Sequence, residues 1–190
     1  MEGGSIVTTC IALLRGINVS GQRMIKMNDL KALFESLKLK NVRTYLQSGN
    51  VVFDSGEPAV GAQGKRIENK ILQILGLEVP VIMRTADQLE NILQNNPFLK
   101  DRNEEITRLY VIFLAEAPAA DSLFKLNGYK SADDEFIVSG KEIYLFCPGG
   151  YGNTKFSNGF FESKLKVTAT TRNWKTVTEL VAMAHCGNGS

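Results

Sequence analysis

Hydrophobic residues recur along the chain with two spacings, one typical of strands and one typical of helices. Residues 6–14 form a nearly unbroken apolar run, which predicts an interior strand covered on both faces. Segments 27–37 and 60–75 carry apolar residues at helical spacing, so each predicts an amphipathic helix. A strand at 78–83 follows, and Pro80 within it favours a position at the edge of a sheet.

Two glycine-containing turns interrupt this pattern, and each predicts a β-hairpin. The first contains Gly49 and lies within residues 43–54, between two short runs rich in β-branched and aromatic residues. The second contains Gly140 and lies within residues 135–147, between runs of the same character. We predict a tight turn in both hairpins.

Capping residues mark the start of two further helices. Thr85 and Gln88 form a capping box that opens a short helix. Asn173 suits the N-cap of a helix over residues 174–185. Trp174 shares the apolar face of that helix, so its indole is predicted to lie in the core.

The second half of the chain repeats the order of elements in the first half. Its predicted elements are a strand at 107–115, a helix at 119–126, the second hairpin, a helix at 158–165, a short strand at 167–171 and the last helix. Each half therefore has the order βαββαβ, which right-handed crossovers favour as a ferredoxin-like plait. We predict an α+β fold of two tandem ferredoxin-like subdomains, at residues 1–96 and 105–190, joined by a polar segment.

Composition and charge narrow the class of protein. The formal net charge of +2 over 190 residues is too small for the whole surface to attract nucleic acid or an anionic membrane. Three widely spaced cysteines, Cys10, Cys147 and Cys186, form no Cys-x-x-Cys pair and predict reduced thiols in a cytoplasmic protein. The apolar run at 6–14 is too short to cross a bilayer, so no membrane segment is expected.

The first candidate site is the loop at residues 15–26, which contains three cations and no acid. Arg15 offers a fork of donors for a phosphate or carboxylate, and Gly16 lets a ligand approach backbone N–H groups. Asn18 adds a polar side chain to the same loop. In the structural alternative, the glycines only shape a long connection and Arg15 bonds carbonyls of its own loop. The sequence leaves both interpretations open.

Two segments of the second half are also basic and polar. The glycine-rich segment 147–157 presents Lys155 but lacks the Gly-Lys-Ser/Thr sequence of a Walker phosphate loop, so it is either a flexible basic loop or a simple turn. Residues 170–176 open the last helix, where the free N–H groups of the first turn lie beside Arg172 and Asn173 and suit an anion.

The sequence lacks the residues on which several kinds of active site depend. His185 is the only histidine and lies near the C-terminal end, which leaves almost no material for a catalytic triad, a Cys-His pair or a histidine metal site. No close pair of carboxylates indicates glycoside hydrolysis. We expect no metal and no cofactor, and any catalysis would depend on charge stabilisation by Arg and Lys.

Three segments resemble the signatures of a known family. They read LLRGINV at residues 13–19, TYLQSGNVVF at 44–53 and ATTRNWKTV at 169–177. In this order they are similar to the domain-of-unknown-function 1697 (DUF1697) family, which is mainly bacterial, although Ser20 stands where that family often has Gly and Lys175 where it often has Asn. The resemblance implies a cytoplasmic α/β protein with two plait-like subdomains, and it implies no activity, substrate or catalytic residue.

The preferred hypothesis is a non-enzymatic protein that binds an anionic small molecule bearing a phosphate or carboxylate. The residues predicted to hold this ligand come from the three basic segments, and they are Arg15, Asn18, Lys155, Arg172 and Asn173. One competing hypothesis is an enzyme that uses the same residues for phosphoryl or acyl transfer.

Two more hypotheses need no small molecule. A single-stranded nucleic-acid-binding module would stack bases on Tyr110, Tyr144 and Phe146, although the signature of an RNA recognition motif is absent. In the second of these hypotheses, the motifs only hold the two halves together. The sequence indicates no particular oligomeric state.

Overall fold

A computed structural model describes most of the chain, namely residues 7–19, 21–56, 60–126, 128–129, 131 and 133–186. Ile6 in the predicted opening strand and Ser20 in the first candidate loop lie outside the described residues. The chain divides into two units. The first unit comprises Met1–Glu90 and Leu180–Ser190, and the second unit comprises Asn91–Glu179.

The first unit is built on a four-stranded antiparallel sheet with the strand order β2-β3-β1-β4. Its strands are β1 Thr8–Leu14, β2 Lys40–Tyr45, β3 Asn50–Ser55 and β4 Val81–Thr85. Its helices are α1 Met27–Ser36 and α2 Val60–Leu75, and α3 Ala86–Gln94 begins in this unit. The proline-containing segment thus leads into an edge strand, as Pro80 predicts.

The core of the first unit lies between one face of this sheet and the helices α1 and α2. The strand β1 contributes Cys10, Ala12 and Leu14 to that face, because alternate side chains of a strand point the same way. Phe34 of α1 and Phe53 of β3 meet edge to face, with ring centroids 5.5 Å apart. Ile11 and Leu13 on the other face of β1 are buried as well, which confirms the interior strand predicted from its apolar run.

The second unit repeats this arrangement with the strand order β6-β7-β5-β8, again antiparallel. Its strands are β5 Leu109–Leu114, β6 Glu135–Ser139, β7 Glu142–Phe146 and β8 Ala169–Asn173. Its helices are α4 Pro97–Lys100, α5 Ala120–Leu126, α6 Asn158–Leu165 and the first part of α7 Trp174–His185. Its core contains a cluster of phenylalanine rings from β6 and α6 and the segment before α6, formed by Phe136, Phe156, Phe160 and Phe161.

A glutamate performs the same local task in both units. Glu68 of α2 accepts a hydrogen bond at 2.9 Å from the backbone N–H of Val81, the first residue of β4. Glu162 of α6 accepts one at 3.0 Å from the backbone N–H of Ala169, the first residue of β8. Because β4 and β8 are edge strands, each carboxylate satisfies a backbone donor at the open side of its sheet.

A buried arginine occupies the fourth position of both edge strands. Arg84 of β4 is 3% exposed and lies opposite Ile11, and Arg172 of β8 is 6% exposed and lies opposite Val111. In each, Nη1 donates a hydrogen bond at 2.8 Å to the carbonyl of the preceding residue. The two halves therefore repeat one another in individual contacts as well as in element order.

The two hairpin turns differ in length. The second joins β6 to β7 through Gly140 and Lys141 alone and is the tight turn that the sequence predicts. The first takes up residues 46–49, because Leu46 and Gly49 both adopt a positive φ, of 58° and 78°. The prediction of a tight first turn was wrong.

The predicted capping residues are observed at two helix starts. Thr85 Oγ1 accepts a hydrogen bond from the backbone N–H of Gln88, and Gln88 Oε1 accepts one from that of Thr85. Asn173 Oδ1 accepts one at 2.8 Å from the backbone N–H of Thr176, which makes Asn173 the N-cap of α7. The helix α4 was not predicted, since a single turn is too short to show a period.

The boundaries between the units fall inside α3 and α7 along the chain. The predicted subdomain bounds, residues 1–96 and 105–190, remain a prediction. Within the part of the chain that the structure describes, no helix has the length and apolar character needed to span a bilayer.

Candidate functional site

The loop after β1 is organised by the side chain of Asn18. Its amide nitrogen donates hydrogen bonds to the carbonyls of Ile25, at 2.9 Å, and Gln47, at 2.8 Å. Its Oδ1 accepts one at 2.7 Å from the backbone N–H of Ile25. Asn18 itself has a φ of 54°, a conformation that Asn tolerates better than most residues. These contacts fold the loop back on itself and hold it against the first hairpin turn.

The hairpin turn meets this loop through Gly49. A Cβ atom on Gly49 would lie 2.6 Å from Cδ1 of Ile17 and 2.9 Å from Cβ of Leu14. The carbonyl of Gly49 accepts a hydrogen bond at 2.9 Å from the backbone N–H of Leu14. Asn50 stabilises the turn, because its side-chain amide donates a hydrogen bond at 2.7 Å to the carbonyl of Tyr45. The motif residues around Asn18 and Gly49 thus form one closely packed turn assembly in the first unit.

The loop in this assembly carries three cations. Arg15 is partly buried and Arg23 and Lys26 are exposed. The guanidinium of Arg23 lies over the backbone of Gly16, since its Nη1 is 3.5 Å from the position that a Cβ on Gly16 would take. Gly16 has a φ of 68°, which favours glycine. The loop therefore carries two arginines, Arg15 and Arg23, and residues 15–26 contain no acid.

Arg172 of β8 is buried, with 6% of its surface exposed. Its Nη1 donates hydrogen bonds at 2.8 Å to Oγ1 of Thr170 and at 2.8 Å to the carbonyl of Thr171. Burial lowers the pKa of its guanidinium to about 10, so the group remains a cation at neutral pH. A buried cation depends strongly on its hydrogen bonds, and these contacts favour a structural role for Arg172.

The other predicted ligand residues of the second unit have separate surroundings. Asn173 is occupied as the N-cap of α7, and Lys155 is exposed. In the glycine-rich segment before α6, the hydroxyl of Tyr151 lies 3.0 Å from Oγ1 of Thr171, which donates to Asn158 Oδ1 at 2.6 Å. The ring of Tyr151 packs on that of Tyr110, with centroids 5.2 Å apart. This segment is therefore anchored by packing, which favours the simple-turn interpretation.

The aromatic residues of the nucleic-acid hypothesis do not share a face of their sheet. Tyr144 pairs with Val111 and Tyr110 pairs with Leu145, so the two tyrosines point to opposite sides. Tyr144 is 4% exposed and donates a hydrogen bond to the carbonyl of Ile92, and Phe146 packs on Phe98. An exposed stacking surface of these rings is absent from the described part of the second unit.

The structure brings together Arg15 and Asn18 in one loop, and Arg172 and Asn173 at the end of one strand. The residue that sequence reasoning did not assign to the site is Arg23, whose guanidinium lies over Gly16. The sequence did contain a sign of the role of Arg23, because Arg23 is one of the three cations in a loop without acidic residues. Among the described residues, no group of three His, Cys, Asp or Glu side chains is placed to hold a metal ion.

Comparison with known proteins gives a family and a fold. The family model described as "Protein of unknown function (DUF1697)" matches residues 7–144 of the chain. The solved structure of the conserved bacterial protein SP0830 from Streptococcus pneumoniae is similar, with a TM-score of 0.66 and 23% sequence identity, over 94% of this chain and 99% of that chain. At this identity the likeness concerns the fold alone. A search of curated proteins found no match.

Proposed function

Because the chain belongs to the DUF1697 family, whose function is unknown, we propose from its own geometry that it binds an anionic small molecule at the loop after β1. The observation that carries this proposal is the position of the Arg23 guanidinium over Gly16, next in sequence to Arg15. Two guanidinium groups on one ordered loop suit a phosphate or a carboxylate, since each presents a planar fork of N–H donors.

Asn18 has a positioning role in this proposal. Its three hydrogen bonds set the path of the backbone, and no ligand has to compete for them. The loop is therefore pre-organised, which lowers the entropic cost of binding. Arg172 and Asn173, which the sequence suggested as ligand contacts, have contacts that favour structural roles, and Lys155 remains an exposed cation whose role is a prediction.

The architecture supports a plait for each unit. The element order βαββαβ and the strand order, with the first strand and the third at the centre of the sheet, are those of the ferredoxin-like plaits. We assign both units to that class as part of the proposal. The predicted cytoplasmic location, with reduced thiols, remains a prediction.

The test uses inorganic phosphate and pyrophosphate as probes, with backbone amide NMR signals as the readout. We expect saturable shifts confined to residues 15–26 and the first hairpin turn. Arg23→Gln and Arg15→Gln should each weaken binding at least tenfold, because a hydrogen bond between charged groups contributes about 1.5–3 kcal/mol. Arg23 is exposed, so its substitution should leave the fold intact.

The matched control is Lys31→Gln, which removes an exposed cation from α1 in the same unit. If Lys31→Gln weakens binding as much as Arg23→Gln, attraction to general surface charge explains the result. Absence of saturation with either probe would exclude the loop as an anion site. If the protein hydrolyses a phosphate ester and the Arg15→Gln variant does not, the enzymatic hypothesis is favoured.

A further inference from the structure

A cleft opens in the first unit on the side where α1 ends and β2 begins. Its volume is about 280 Å³, slightly below the range of about 300–1,000 Å³ usual for ligand sites. Its walls come from the chain after α1, the end of β3 and the helix α2, and they include Leu37, Lys38, Leu39, Lys40, Asp54 and Arg66. None of these residues belongs to the loop after β1.

Three cations and three aliphatic side chains share the lining. Lys38 and Lys40 lie on the chain after α1, and Arg66 reaches across from α2, with its Nη2 3.2 Å from the carbonyl of Leu37. That contact satisfies one of the carbonyls at the C-terminal end of α1, whose partial negative charge would otherwise disfavour an anion. Leu37 and Leu39, with Val7 at the rim, supply an apolar wall between the cations.

The single carboxylate of the cleft is already bound by the protein. Asp54 is 6% exposed, and its Oδ1 accepts a hydrogen bond from Thr9 at 2.8 Å while its Oδ2 accepts one from Asn41 at 2.6 Å. Two close donors reduce the repulsion that this carboxylate exerts on an anion nearby. The cations therefore dominate the electrostatics of the cleft, and the aliphatic residues dominate its shape.

We propose that this cleft binds a small carboxylate with an apolar body. The carboxylate group contacts Arg66 and Lys40, and the body lies against Leu37 and Leu39. Arginine suits such a head group because its planar fork matches a carboxylate. The aliphatic wall requires an apolar body, because a fully hydrated ion would gain nothing from covering it.

The experiment uses hexanoate, hexylammonium and inorganic phosphate as probes of the full chain, with affinity measured by NMR titration. Hexanoate should give saturable shifts at the backbone amides of Leu39, Lys40 and Ser55. Hexylammonium has the same body and the opposite charge, and phosphate has the charge without the body, so both should bind at least tenfold more weakly. Arg66→Gln and Lys40→Gln should each weaken hexanoate binding about tenfold.

Two control variants show whether hexanoate binds at this cleft specifically. Lys65→Gln makes the same charge change one residue from Arg66 on α2, outside the cleft lining, and should leave hexanoate affinity unchanged. Arg23→Gln, in the loop after β1, should also leave it unchanged, so failure of one site is distinguishable from failure of the other. Equal binding of hexanoate and hexylammonium, equal binding of phosphate, or an equal loss in Lys65→Gln would each overturn the proposal.

Discussion

Gly49 is the residue at which a missing side chain matters most for the candidate loop. A methyl group there would overlap Ile17 and Leu14, at distances of 2.6 to 2.9 Å, and φ is 78°. We expect Gly49→Ala to lower the free energy of unfolding by roughly 2–4 kcal/mol, from overpacking and left-handed backbone strain together. Urea denaturation measures the change.

Gly140→Ala is the matched control for this substitution. Gly140 has a φ of 61°, but a Cβ on it would have only Glu142 Oε2 within reach, at 4.0 Å. Gly140→Ala should lower the free energy of unfolding by about 1–2 kcal/mol, from left-handed backbone strain alone. Equal costs for the two variants would mean that the contact of Gly49 with Ile17 and Leu14 is unimportant.

The cysteines should differ sharply in reactivity. Cys10 and Cys147 are buried and Cys186 is exposed, and all three are free. Burial raises the pKa of the Cys10 and Cys147 thiols to about 11, which suppresses the reactive thiolate as well as access to it. In native protein, a thiol reagent at pH 8 should modify one cysteine rapidly and two only after denaturation. Rapid modification of all three cysteines in the native protein would contradict the burial of Cys10 and Cys147. In that case the Cys186→Ser variant would still react rapidly at its two remaining cysteines.

At the scale of single residues, the sequence predicted local contacts well and distant ones poorly. The N-cap Asn173 and the capping box of Thr85 were predictable because the groups involved lie three residues apart. Asn18 was predicted as a ligand contact, whereas its amide bonds residues 7 and 29 positions away. Such contacts depend on how the chain returns on itself, which no local pattern encodes.

The helices α2 and α6 each secure an edge strand through a glutamate. Glu162→Ala would remove the acceptor for the N–H of Ala169 and leave that donor without its partner at 3.0 Å. We expect a loss of about 1–2 kcal/mol in the free energy of unfolding, whereas Glu162→Gln keeps an acceptor and should lose less. The equivalent substitution Glu68→Ala should behave in the same way, since its hydrogen bond to Val81 has nearly the same length.

Glu35→Ala provides the comparison for these variants. Glu35 is exposed on α1 and lies 3.9 Å from Lys31, in a surface pair that contributes little. Its substitution should change stability by less than about 0.5 kcal/mol. If the three alanine variants cost the same, the carboxylates do not stabilise the strand ends, and the repeated contact is incidental.

Elements were easier to predict than the connections between them. The bounds of α6 and α7 follow from helical periodicity and caps, and β5 from its apolar run. The first hairpin turn is longer than predicted because Leu46, an unusual residue for positive φ, adopts that conformation. The cleft beside Arg66 was not predictable either, because its lining comes from segments that are adjacent only after α1 and α2 pack on the sheet.

For the whole molecule, the two halves repeat their architecture but differ in the chemistry of their loops. Leu14 and Leu114 are equivalent ends of the first strand in each half, and each donates its N–H to a residue of the following hairpin, Gly49 or Lys141. After Leu14 the chain enters a loop with three cations, whereas after Leu114 it enters one containing Glu116 and no cation before α5. The basic loop is therefore an addition to a shared framework, which favours a role beyond folding.

Stability of the whole molecule should fall as pH rises from 8 to 10. Burial raises the pKa of the Cys10 and Cys147 thiols from 9.0 to about 11 and that of Tyr144 from 10.0 to about 12. Between pH 9 and 11 the unfolded chain releases thiol protons that the folded protein retains, so deprotonation favours unfolding. Two thiols together should cost roughly 3 kcal/mol by pH 10.

The pH range of this measurement separates the thiols from Arg172. Burial lowers the pKa of Arg172 to about 10, so above that pH the folded protein loses a proton that the unfolded chain keeps, which acts in the opposite direction. Below pH 10 the thiol effect should dominate. Thermal or urea unfolding of the double variant Cys10→Ala, Cys147→Ala should show a shallower decline from pH 8 to 10 than the native chain. An unchanged slope would mean that groups other than the two thiols cause the decline, because all other groups are the same in both proteins.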